Sequence, residues 1–226
     1  WGVLQLAVAV AAAGLLTGFV AVERRIPEPM LPPGLFAGRG FTVAVTVGFC
    51  LNVSFFGQLF VLSLFFQRTL GHDAWEAGLA LAPQACSAVV AAPLGGRAAA
   101  RFGVFPAMLM GLVLGAAGFA GTAFIGSGTA PLVVSGVTFA AGFGMAFAMP
   151  AATAAAVSAV PDELAGTAGG VVNAARQTGS VAGVAILGGV VAADASPSGF
   201  RVAMLMAAGI FVVAAALVAA AARDPA

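Results

Sequence analysis

Charge is what this sequence has least of. Only 8% of its 226 residues are charged, 62% are hydrophobic, and the mean hydropathy is +1.09. A soluble domain carries about 25% charged residues, so this chain could not solvate its own surface, and its solvent is mostly lipid. Lysine is absent, all nine basic residues being arginine, and with a net charge of +1 and no basic run a nucleic-acid partner is excluded. One histidine, His72, and two cysteines, Cys50 and Cys86, are too few to assemble a His/Cys metal site. Both cysteines lie inside apolar runs, where a thiol behaves as a small hydrophobe. No charged n-region or cleavage site precedes the first residue, Trp1, and the chain begins inside an apolar run, as if cut from something longer.

What is abundant is apolar sequence in long runs. Seven segments, roughly 1–22, 42–66, 76–96, 104–125, 131–153, 165–192 and 201–222, are long enough to cross a bilayer core of about 30 Å. Backbone polar groups in lipid must be satisfied internally, so the segments are predicted to be helices. The expected fold is an all-α polytopic helix bundle. Its longest break, "ERRIPEPMLPPGLFAGRG" at 23–40, holds four prolines that oppose a continuous helix. Enzyme templates lack their atoms: seven spans suggest a retinal protein, but no lysine exists for the Schiff base, and no nucleophile is placed near His72. No cofactor is expected.

The arginines orient the bundle. With alternating spans, Arg24, Arg25, Arg39, Arg97, Arg101 and Arg223 fall on one side and Arg68 and Arg201 on the other. Six against two predicts that the 23–40 and 97–103 connections and the C-terminus are cytoplasmic, with 68–75 external. Every acidic residue (Glu23, Glu28, Asp73, Glu76, Asp162, Glu163, Asp194, Asp224) sits at a segment edge or in a loop. Arg176 is therefore the only formal charge deep in the membrane.

Arg176 lies about a dozen residues from either end of its segment, roughly 18 Å at 1.5 Å per residue. It shares one helical face with Gly166, Gly169, Gly170, Asn173, Gln177, Ser180 and Gly183, which recur at spacings of three and four. A charge at the bilayer centre costs about 2.5–3.5 kcal/mol on insertion scales, so this stripe is expected against protein or a water-filled cavity. The alternative is a structural arginine bonded to carbonyls of a neighbouring helix. Gly166/Gly170, Gly179/Gly183 and Gly111/Gly115 are small-xxx-small pairs, expected to pack helices within one bundle. Asn52, Ser54, Gln58 and Gln84 are read either as cavity-lining groups or as interhelical hydrogen bonds. Pro83, Pro150, Gly142 and Gly144 permit helix distortion.

The run "PLGGRAAARFG" (93–103) resembles the loop motif of major facilitator superfamily transporters. With "PDELAGTAGGVVNAARQTGSVAGVAILGG" the chain resembles the C-terminal half of a drug:proton antiporter of the 14-spanner type. Gly96, Arg97, Arg101 and Gly103 match the gating-loop motif, while Ala100, Val104 and Phe105 depart from it. Asn173, Arg176, Gln177 and Gly183 match the "N-x-x-R-Q…G" run. The resemblance implies a transmembrane helix at 1–22, a cytoplasmic linker at 23–41, a six-helix transporter domain at 42–222 and a cytoplasmic tail at 223–226. It further implies expulsion of small amphipathic organic substrates by alternating access, driven by protons. The proton-carrying carboxylates are missing from these spans, so the resemblance places them in an N-terminal half, in a bacterial inner membrane. A metabolite exporter or importer of the same fold, and a non-transporting membrane scaffold, are the competing readings.

Overall fold

The computed structural model describes residues 2–23, 25, 26 and 33–223. Seven α-helices follow one another: α1 (Gly2–Glu23), α2 (Arg39–Leu64), α3 (Ala74–Phe102), α4 (Val104–Thr122), α5 (Pro131–Ser158), α6 (Ala165–Ala193) and α7 (Pro197–Arg223). Short 3₁₀ turns lie at Pro33–Ala37 and Asp162–Leu164, and α2 widens into a π-helical turn over Phe65–Thr69. There is no strand among the described residues. Each apolar run of the sequence has its helix. Among the described residues five helices, α2 with its π turn, α3, α4, α5 and α7, are long and apolar enough to cross a membrane. In α6 the arginine, two amides and seven glycines dilute the apolar content.

Local chemistry explains where the helices start and stop. Asp73 caps α3 by accepting from the Glu76 N–H at 2.8 Å, while Glu76 accepts from the Asp73 N–H at 3.0 Å, a reciprocal capping box. Pro131 opens α5 at a position where its missing N–H costs nothing. Gly103 alone separates α3 from α4; its φ of +93° lies where side chains are strained, so the reversal needs glycine. The segment expected to be a loop at 97–103 is therefore almost entirely helix. Alanines and arginines, strong helix formers, carry α3 through Phe102.

The chain forms two compact units, Trp1–Ala37 and Gly38–Ala226. In the second, α6 packs chiefly on α2, α5 on both α3 and α4, and α7 on α4 and α2. The core holds fully buried Phe41, Phe66, Phe119, Phe211, Leu112 and Met204. Phe119 and Phe211 meet with ring centroids 4.7 Å apart. Glycine lets the backbones approach: a methyl at Gly111 would stand 2.8 Å from the Gly144 carbonyl oxygen, and one at Gly95 would collide with that of Phe147. Gly142 and Gly144, read from sequence as points of distortion, are helix-contact glycines as well: a methyl on either would collide with α3 or α4. Arg24, Glu28, three of the four linker prolines (Pro27, Pro29, Pro32) and Asp224 lie outside the described residues.

Candidate functional site

The site is built on α6, whose sequence gives it one face for α2 and another that remains open. The contact face is Ala168, Val172, Gly179, Gly183 and Leu187, all buried. Its glycines set the distance between the helices. A methyl on Gly179 would lie 2.5 Å from the Phe49 carbonyl oxygen, and one on Gly183 would be 2.7 Å from the Val53 carbonyl carbon. Gly57 answers from α2, where a methyl would lie 2.6 Å from the Gly183 oxygen. Gly166 and Gly170 do not share in this. A methyl on either meets nothing within 4 Å, so the expectation that they pack helices within this bundle is corrected. Both sit near the start of α6, turned away from the buried face that Ala168 and Val172 form there.

Arg176 lies at the edge of this interface. Its aliphatic stem crosses Gly48 of α2, where an added methyl would come within 3.4 Å of Cγ. A long stem buried on apolar surface while its charged head reaches elsewhere is the usual compromise for arginine. The side chain is half-buried, and its Nε has no hydrogen-bond partner among the described residues. No described carboxylate pairs with it, since the acidic residues sit at helix ends and in loops. Asn173 and Gln177, one turn apart, are exposed on the open side of α6. Ser180, a turn further on, donates to the Arg176 carbonyl at 3.0 Å and lies 3.4 Å from Asn52 Oδ1 on α2. Hence Asn173, Arg176 and Gln177 form a hydrogen-bond-rich patch beside Val181, itself 72% exposed. Ala185, one turn beyond Val181, is exposed as well.

The three other amides are placed differently from their cavity-lining expectation. Asn52, Gln58 and Gln84 are 2%, 0% and 1% exposed, so within this chain they are interior groups. Asn52 donates to the Gly48 carbonyl one turn below at 2.9 Å, closing its donor on its own helix. Gln84 on α3 donates to Gln58 Oε1 on α2 at 2.8 Å. That bond joins two helices that otherwise barely touch, with Gln58 Nε2 and Gln84 Oε1 left without partners among the described residues. Ser54 ties α2 to α7 by donating to the Ala207 carbonyl at 3.0 Å. The alternative reading from sequence, interhelical hydrogen bonding, describes Gln58, Gln84 and Ser54. Both arrangements put an amide on an inward face and share the same helical spacing.

At the other end of α3, Arg97 and Arg101 are exposed and one helical turn apart. The Arg101 guanidinium lies 5.5 Å from the ring centroid of the adjacent Phe102. Of the motif glycines, Gly103 is required by its backbone conformation, whereas Gly96 faces open space. The close contact belongs to its neighbour Gly95, against α5, which sequence spacing did not single out.

Comparison with known proteins matches residues 1–184 to the Major Facilitator Superfamily. The chain belongs to the major facilitator superfamily. It is a multi-pass membrane protein of that transporter family. It is similar to a methylenomycin A resistance protein of Streptomyces coelicolor, with 39% identity over 80% of this chain and 38% of the relative. It is 32% identical to a tetracenomycin C resistance and export protein of Streptomyces glaucescens, over 83% of this chain and 35% of the relative. It is 30% identical to the multidrug transporter protein MdtP of Bacillus subtilis, over 84% of this chain and 35% of the relative. These relatives are drug-resistance and efflux members of the superfamily, and the chain spans less than two fifths of their length.

Proposed function

We propose that this chain forms one half of an efflux transporter that expels small amphipathic organic compounds in exchange for protons. The polar face of α6 lines the transport path. The observation that carries this reading is the combination of exposed Asn173 and Gln177 with a half-buried Arg176 that has no counter-charge among the described residues. An uncompensated guanidinium within an apolar helix is tolerated where it meets water, a substrate acceptor or a carboxylate from another element. The resistance and export functions of the named relatives support the direction of transport. A membrane scaffold would instead close its amides inside helix contacts, as Gln58 and Gln84 are closed here.

A guanidinium stays protonated and cannot itself carry the transported proton. Arg176 instead holds the acceptor groups of substrate or water and lowers the pKa of a carboxylate supplied by the other half. An opposite charge within about 4–6 Å shifts a carboxylate by about 1–3 units. Arg97 and Arg101, at the cytoplasmic end of α3, brace the closed cytoplasmic side through the other half. The half-transporter assignment and the inner-membrane location belong to the same proposal, as does the cytoplasmic C-terminus, which the arginine distribution supports.

Transport by Arg176→Gln and Arg176→Leu, measured against pH in reconstituted vesicles, tests the reading. Arg176→Gln is expected to fold and insert normally while transporting weakly, with an altered pH dependence. If Arg176 only ties α6 to neighbouring carbonyls, Arg176→Leu misfolds instead. Well-folded Arg176→Leu protein with unchanged transport removes Arg176 from the mechanism.

A further inference from the structure

A second candidate site lies where α2 and α6 diverge at their C-terminal ends, about 18 Å along α6 from Arg176 at 1.5 Å per residue. Here the helices enclose a cavity of about 570 Å³, with the start of α7 as its back wall. That volume falls within the range of sites for drug-sized molecules, about 300–1,000 Å³. Phe65 and Phe200 stack at 4.0 Å between centroids with an interplanar angle of 19°, making a flat apolar wall. Phe60, 40% exposed, leans over Gly188, where a methyl would stand 2.9 Å from its ring. Glycine at 188 thus keeps room for the ring and for whatever lies beside it.

The lining is apolar except at its rim, where the π-helical turn of α2 carries Arg68 and Thr69, and Ser196 faces them from the α6–α7 connection. Arg68 is exposed and has no ionic partner among the described residues. The nearest acidic residue along that connection, Asp194, is engaged elsewhere. Its carboxylate accepts from the Ser196 N–H and from the Ser198 hydroxyl, each at 3.0 Å, at the start of α7. The other arginine on this side, Arg201, lies over the Phe124 ring at 5.8 Å. The Ser196 hydroxyl is itself engaged by Ser198, so the cavity presents one uncommitted cation, the Thr69 hydroxyl and three aromatic rings.

We infer that this cavity binds an amphipathic organic anion, its acid group held by Arg68 and its ring system laid against Phe60, Phe65 and Phe200. Charge complementarity selects the anion, and the stacked wall selects a flat apolar body. The site stands apart from the polar face of α6, so binding here does not depend on the proposed transport mechanism.

The test measures binding of radiolabelled 1-naphthylacetate, and of its neutral amide, to the full-length protein in neutral-lipid nanodiscs. Saturable binding of the acid is expected, with the amide about tenfold weaker. Arg68→Gln, an exposed substitution that leaves the bundle intact, should erase that preference by weakening the acid alone. Gly188→Leu, which fills the cavity, should remove both ligands, with a thermal melt showing that the protein remains folded. Displacement of the acid by short-chain phosphatidylglycerol, in an Arg68-dependent manner, would identify a membrane lipid as the source of the same anionic chemistry. Equal binding of acid and amide, or wild-type affinity for the acid in Arg68→Gln, overturns the inference.

Discussion

Replacing Gly183 with alanine tests the packing that positions the polar face. The added methyl would collide with the Val53 carbonyl oxygen and lie 2.7 Å from its carbon and 2.8 Å from its Cα. Ordinary contact begins at 3.4 Å, so the carbon alone requires a separation of 0.7 Å (3.4 − 2.7). All three obstructing atoms are backbone, and no rotamer change can relieve them. Overpacking of this kind costs about 1–3 kcal/mol, occasionally more, and here it also loosens contacts along the whole α2–α6 seam. Alanine recovers about 1 kcal/mol of helix propensity. The net expectation is a loss of about 2 kcal/mol at the upper part of that range. Gly170→Ala gains the same propensity without a clash, since nothing lies within 4 Å of its added methyl. Thermal unfolding in detergent should therefore rank Gly170→Ala at or above wild type and Gly183→Ala clearly below it. Equal melting of the two variants would refute the reasoning, because it would mean that backbone approach at Gly183 does not set the helix spacing.

Two further outcomes follow from the same structure. Replacing Arg97 and Arg101 together with Gln should shift the conformational balance toward the inward-open state by about 1–2 kcal/mol, the scale of a few charged hydrogen bonds; normal transport by a correctly inserted double variant would exclude the gating role. Asp194 is held below the usual carboxylate range by the Ser196 hydroxyl, the Ser196 backbone N–H and the Ser198 hydroxyl. A lowered folded-state pKa contributes stability above the unfolded value, about 3.9, that is lost as pH falls through the folded one. The melting difference between wild type and Asp194→Ala should accordingly be constant from neutral pH down to about pH 5 and shrink only below about pH 4; a difference that grows on acidification contradicts this.

Much of the helical framework was legible because membrane helices are written in hydropathy and length, which are local. The ends of α3 were not: "GGRAAARFG" reads as a charged loop by composition, yet its residues are good helix formers and only Gly103 forces a turn. Arg176 stood out because a charge at that depth has so few uses. Contacts between helices were less accessible. The period places Gly166, Gly170, Gly179 and Gly183 within one broad stripe, but only the last two reach α2, because at the start of the helix the buried face is formed by Ala168 and Val172 instead. Likewise Asn173 and Gln58 look alike in sequence, and one is exposed while the other meets Gln84 in the interior. Which inward face meets a neighbour is decided by elements far away in the chain.

The central claim, that the polar face of α6 lines a water-filled transport path, is tested most directly by thiol accessibility along that helix. Single cysteines would replace Asn173, Gln177 and, as buried references, Val172 and Leu187, in a background lacking Cys50 and Cys86. Reaction with a small, charged, membrane-impermeant reagent would then be followed with and without substrate. Rapid labelling at 173 and 177, slowed by substrate, with silent 172 and 187, is the predicted result. Unreactive cysteines at 173 and 177 would show that face to be dry, and would contradict the account.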